Sequence, residues 1–138
     1  MGLNVTLLED SFALVAPNGD ALVETFYRHL FEDYPVVRPL FENTDMKQQQ
    51  SKLLASLALV VANLQNPDQL VPALEEMGQR HVGYGAVEGY YPAVGATLLK
   101  SLAEVAGDVW NDELQQAWSD AYDEVTKHML AGALAHAV

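Results

Sequence analysis

Residues 26–41 read FYRHLFEDYPVVRPLF, and the fold turns on how they are read. Phe26, Tyr27 and Leu30 follow Leu22 at three- and four-residue spacing, the apolar stripe of an amphipathic helix. Pro35 ends that helix. Together with Pro39 it confines residues 35–41 to a short helical corner, because each proline disfavours helical geometry in the residue before it. Such a corner redirects the chain sharply, which suits helices crossing at about 50° better than an up-and-down bundle.

The flanking sequence extends the same pattern. Upstream, Thr6 with Glu9 three residues later forms a capping-box pattern that predicts a first helix with Leu8, Phe12 and Val15 on one stripe. Pro17, Asn18 and Gly19 stop it, and Asn18 or Asp20 caps the second helix. Downstream, Thr44 or Asp45 opens a helix through Leu64 with Leu54, Leu57 and Val61 on one face. Asn66, Pro67 and Asp68 start another, which runs to about Val82 and is released by Gly83 and Gly85. A helix from about Glu88 to Val105 ends at Gly107, and Asn111 or Asp112 begins the last, with Leu114, Trp118, Ala121, Val125 and Met129 in its stripe. No alternation of strand length interrupts this series. The expectation is an all-α fold of six to eight helices in one domain spanning residues 1–138.

Composition narrows the chemistry. Half of the 138 residues are apolar, enough for a full hydrophobic core without disulfides. The absence of cysteine excludes thiol nucleophiles, Cys-ligated metals and redox disulfides, so any metal must be held by His or carboxylate or arrive inside a cofactor. A net charge of −12 argues against nucleic-acid and anionic-membrane partners, since its seven Lys and Arg are scattered. Residues 1–15 carry Glu9 and Asp10 without a basic flank, unlike a secretory signal, and the nearly apolar stretch 53–64 is too short to span a bilayer. A soluble, cytoplasmic protein is expected, with the acidic surface serving solubility or docking of a basic partner.

Four histidines are present: His29, His81, His128 and His136. His81 follows Leu74, Met77 and Gly78 along one stripe, just before the glycines that end its helix. An imidazole there, with small Gly78 one turn earlier, leaves room for something flat, and a metal or haem iron is a natural occupant. His29 lies two residues after Tyr27, about 200° around a helix, and is expected to face water. His128 and His136 have no partner at ligand spacing. No HExxH, GxGxxG or GxxxxGK pattern occurs, and nothing in the spacing points to a hydrolase. Polar groups on apolar faces are the remaining signal: Tyr27 between Phe26 and Leu30, and Gln50, in the run Gln48, Gln49, Gln50, one turn before Leu54 on the Leu54, Leu57, Val61 stripe. Periodicity alone does not say which glutamine turns inward. Trp110 and Trp118 read as packing.

Taken together, these residues resemble a globin of the bacterial haemoglobin and flavohaemoglobin lineage. The resemblance rests on residues 26–31 and 35–41, on His81 31 residues beyond Gln50, and on Tyr-Pro-x-Val-Gly beginning at Tyr91. It implies haem b as cofactor, His81 as the iron ligand, and Tyr27 and Gln50 as the distal donors. Phe41, Leu54, Met77, Tyr91 and Val94 would line the haem, and Lys52 and Arg80 would meet its propionates. The ring nitrogen of His81 that is not on iron needs an acceptor, most simply a backbone carbonyl one turn back.

Two departures from the family pattern stand out. The sequence ends at Val138, where flavohaemoglobins continue into flavin- and nicotinamide-binding domains, so electrons are expected from an external reductase. The family's glutamate on the last helix falls at Ala133, and no acidic residue follows Glu124. Two donors on the distal side imply tight O2 binding. The resemblance therefore points to a protein that binds O2, CO and NO and detoxifies NO by dioxygenation. The alternative is a non-catalytic oxygen store or gas sensor, and the further alternative a globin fold without haem. A monomer or weak homodimer is expected.

Overall fold

The computed structural model describes residues 3–83 and 89–137, and the side chains among them except those of Gly83 and residues 135–137. Gly85 and Glu88, expected at helix boundaries, and the side chain of His136 lie outside it. The first helix, α1 (Val5–Val15), is capped by Asn4, whose side chain accepts from the Leu7 amide at 3.1 Å. Thr6 lies inside the helix, so the expected capping box does not form. One 3-10 turn, Ala16–Asn18, leads directly into α2 (Gly19–Asp33). The proline corner is a 3-10 segment over Pro35–Phe41, as its two prolines require.

Asp45 then caps α3 (Met46–Ala62), accepting from the amides of Lys47 at 3.0 Å and Gln48 at 3.3 Å. Pro67 occupies the first position of α4 (Pro67–Gly83). Helix α5 (Tyr90–Ala106) stops at Gly107, whose φ of +61° is a conformation that side chains other than glycine's rarely adopt. A 3-10 turn follows at Gly107–Val109, and α6 (Asp112–Ala137) closes the chain with the Leu114 amide capped by Asn111 at 2.9 Å. Among the described residues there is no strand, and no helix is long and apolar enough to cross a membrane.

Two apolar clusters hold these helices. The larger joins α1, α2, α5 and α6 through Leu8, Leu22, Phe26, Leu30, Leu102 and Trp118. Trp118 is buried, as its place in the stripe predicts, and its indole N–H donates to Ser11 Oγ at 3.0 Å. The smaller joins α4, α5 and α6 through Leu74, Tyr91 and Met129. Fully burying a leucine contributes about 1.5–3 kcal/mol, so Leu8, Leu22, Leu74 and Leu102, each 1% exposed, are principal anchors.

Helices α2 and α5 are also tied at their surface. Lys100 meets Asp33 at 2.8 Å, and Glu104 meets Arg28 at 3.1 Å and His29 Nε2 at 2.9 Å. The hydrogen bond from His29 holds the Glu104 carboxyl below the usual carboxylate range. His29 was expected to face water. Instead its side chain is 12% exposed, because Glu104 from a helix 75 residues on covers it.

Candidate haem site

The tyrosine of the candidate site sits where α2, the corner and α3 meet. Tyr27 is buried among Phe26, Phe31 and Phe41, with ring centroids 4.9, 5.9 and 5.7 Å away. Phe31 and Phe41 stack edge to face at 5.4 Å, and the Arg38 guanidinium lies 4.8 Å from the centre of the Phe31 ring. The corner thus brings Phe41 onto the tyrosine, whose ring also meets Phe31.

The amide that reaches Tyr27 belongs to Gln49 and not to Gln50. Gln49 Nε2 donates to the Tyr27 hydroxyl oxygen at 3.0 Å. One residue turns a helix by about 100°, so Gln49 shares a stripe with Leu53 and Leu57, which pack on the main core. The same rotation separates Leu53 from Leu54. The Leu54 side chain packs on Gly19 at the start of α2, two turns from Tyr27, while Leu53 packs on the main core. Gln50 is half-buried next to the inward stripe.

Since Gln49 donates, the Tyr27 hydroxyl proton is not used by that bond, and no acceptor for it occurs among the described residues. A buried phenol with an uncommitted proton is costly unless a polar ligand meets it. Burial also pushes the Tyr27 phenol above its ordinary pKa, outweighing the opposing hydrogen bond from Gln49, so it stays a donor at neutral pH.

His81 lies near the end of α4, half-buried. Its Nδ1 is 2.7 Å from the Met77 carbonyl oxygen one turn back, the acceptor position expected for it. A carbonyl only accepts, so Nδ1 carries a proton in that contact, which leaves Nε2 as the ring nitrogen that an iron would take. Met77 is part of the second cluster, beside Leu74, Tyr91 and Met129. Tyr91 is buried at the start of α5, where its carbonyl accepts from the Tyr122 hydroxyl at 2.6 Å. Val94, one turn on, packs against the main core.

Gly78 does not leave room for a ligand. A methyl group there would overlap the carbonyl of Met129, so the space belongs to α6. Of the two expected propionate partners, Arg80 is paired with Glu76 at 2.9 Å on the exposed face of α4. Lys52 is exposed beside Lys47, Gln48 and Ser51 on the outer side of α3. His128 pairs with Glu124 at 3.3 Å within α6.

A buried phenol with an uncommitted proton and an imidazole whose Nδ1 is held by a backbone carbonyl are the donor set that an iron porphyrin would use. The comparisons agree. The Globin family profile matches residues 24–129, and the chain belongs to the globin family. A flavohemoprotein of Xylella fastidiosa is 38% identical over 120 residues, covering 86% of this chain and 30% of that protein. One of Rhizobium meliloti is 32% identical over 121 residues, with the same coverage. The chain thus corresponds to about a third of the length of these relatives. Among solved structures, a bacterial globin from Campylobacter jejuni superposes with TM-score 0.83 at 26% identity, covering 95% of this chain and 94% of that one. An engineered carbene transferase, made from a Rhodothermus marinus protein named as a candidate nitric oxide dioxygenase, superposes with TM-score 0.86 at 30% identity, covering 99% and 97%. Globin membership and flavohemoprotein kinship establish haem as the cofactor.

Proposed function

We propose that this globin holds haem b through His81, binds O2 tightly and converts nitric oxide to nitrate with electrons from a separate reductase. The observation that carries the proposal is the buried Tyr27 hydroxyl, its ring wedged by three phenylalanines and its oxygen held by the Gln49 amide. The Rhodothermus relative, whose name refers to this reaction, adds support.

Haem held by His81 would supply the iron and the redox chemistry of this reaction, in which NO, O2 and one electron balance as nitrate. The protein's part is to hold and orient. Tyr27 donates its free proton towards the ligand, a charge-assisted bond worth about 1.5–3 kcal/mol. Gln49 fixes the direction of that proton and, by donating to the phenol oxygen, makes the hydroxyl a stronger donor. Phe41 and Phe31 keep the phenol from turning to water. Met77, through its carbonyl, holds the His81 ring in one orientation. Such a site releases O2 slowly, which suits consumption of the ligand better than its delivery.

Mixing the reduced, O2-saturated protein with NO in a stopped-flow instrument is the direct test. The expected result is one nitrate and one ferric haem per chain within the mixing experiment. Nitrite instead of nitrate, or NO simply replacing O2, would refute turnover and leave a gas store or sensor.

A further inference from the structure

We infer that a two-glycine crossing between α4 and α6 positions His81, making Gly78 and Gly132 positioning residues for the haem ligand. The inference rests on the reading of His81 as that ligand. Gly78 and Gly132 are both buried, and the two helices meet there backbone to backbone. A methyl group on Gly78 would overlap the carbonyl of Met129, and one on Gly132 would overlap the carbonyl of Glu75. The contact is reciprocal: on each helix a carbonyl and a glycine three residues apart face the glycine and carbonyl of the other. Each glycine presents Cα–H where a side chain would stand, the arrangement of the weak C–H···O pairs that recur at helix interfaces.

This crossing lies next to the chemistry. The clamped stretch 75–78 contains Met77, whose carbonyl accepts the His81 Nδ1 proton at 2.7 Å. His81 itself is three residues beyond Gly78, on the last turn of α4. Leu74, 1% exposed, and Met129, 7% exposed, close the contact from the apolar side. From this crossing α6 also reaches α5, where the Tyr122 ring covers Gly95 and its hydroxyl binds the Tyr91 carbonyl. One helix therefore fixes both the turn that carries His81 and the start of α5. The sequence has no acidic residue on α6 beyond Glu124. The contact of backbone with backbone sets the height and tilt of the turn that carries the imidazole. A side chain at either glycine must separate the helices, because a carbonyl oxygen in a helix cannot step aside as a flexible side chain can.

Resonance Raman spectroscopy of the ferrous, haem-loaded protein tests this through the iron–histidine stretching band. Gly132→Ala, a change 51 residues from His81 in sequence, is expected to shift that band while circular dichroism remains that of the parent. The same substitution in a His81→Gly background supplied with free imidazole is expected to leave the iron–imidazole band unmoved, because that ligand is no longer tethered to α4. An unshifted band in the first case, or an equal shift in both, would overturn the inference. If His81→Gly kept the parent spectrum without imidazole, the identity of the ligand would fail instead, and the crossing would have nothing to position. Should Gly132→Ala not fold, amide hydrogen exchange of the unmodified protein decides. Haem loading is expected to slow exchange at residues 129–132 as well as 75–81, and no slowing at 129–132 would reject the inference.

Discussion

Removing one oxygen atom, by Tyr27→Phe, tests the distal mechanism with little disturbance to the fold. The ring keeps its three phenylalanine neighbours at 4.9, 5.9 and 5.7 Å, so packing is preserved and only the hydroxyl is lost. A hydrogen bond to a charged acceptor is worth about 1.5–3 kcal/mol, and each 1.4 kcal/mol is tenfold, so O2 should dissociate about 12- to 140-fold faster. The lower half of that range is expected for the single variant. Gln49 Nε2 stands 3.0 Å from the missing oxygen and, released from it, can swing in as a substitute donor. Adding Gln49→Leu removes the substitute and should bring out the full factor. The assay is stopped-flow displacement of O2 by excess CO, with CO dissociation as the control, because CO is weakly polarised and should change far less. O2 dissociation within twofold of the parent in both the single and the double variant would refute the reasoning. An equal acceleration of O2 and CO would do so too, since it would indicate a steric effect in place of a hydrogen bond.

Two further predictions follow from the same geometry. Gln49→Leu alone breaks one neutral hydrogen bond, worth about 0.5–1.5 kcal/mol, and should speed O2 release by roughly two- to twelve-fold, whereas Gln50→Leu should change it less than twofold; the reverse order in the stopped-flow assay would restore Gln50 as the distal amide. Burial raises the phenols of Tyr27, Tyr91 and Tyr122, the last to about 12. Above about pH 10 the unfolded chain gives up these protons while the folded protein keeps them, so stability is intact below pH 10 and falls as pH rises towards 12. For Tyr122 the two-unit difference amounts to about 3 kcal/mol, complete once its folded value is passed. Thermal midpoints measured from pH 9 to 12 should fall, and less steeply in Tyr122→Phe; parallel slopes would remove Tyr122 from the cause.

Local signals in the sequence were legible, and those set by a partner helix were not. The corner at Pro35–Phe41 and the caps at Asp45 and Asn111 form where they are expected, because a proline ring or a capping side-chain oxygen acts within four residues. Thr6 failed because Asn4, two residues earlier, offers a competing cap and the first turn can close on either. Within the run Gln48, Gln49, Gln50 the choice is one of helix phase, and the apolar residues that fix phase are ambiguous as well: Leu53 and Leu54 both suit a stripe with Leu57. The phase becomes readable when the stripe is carried further. Gln49, Leu53 and Leu57 recur at strict four-residue spacing, and Leu53 and Leu57 join the main core, whereas Leu54 meets Gly19 at the opposite end of α2.

Gly78 and His29 mark the limit of such reading, because each is defined by a residue more than 50 positions away, Met129 for one and Glu104 for the other. A small residue beside a candidate ligand reads equally well as space for a cofactor or as space for a helix. Only the second helix distinguishes them, and here it does so with a carbonyl oxygen. That assignment changes the chemistry expected at His81. Its environment is set by where α6 stands against α4, so substitutions along the far face of α6 that leave this crossing intact should leave the ligand's spectrum intact, however strongly they alter stability.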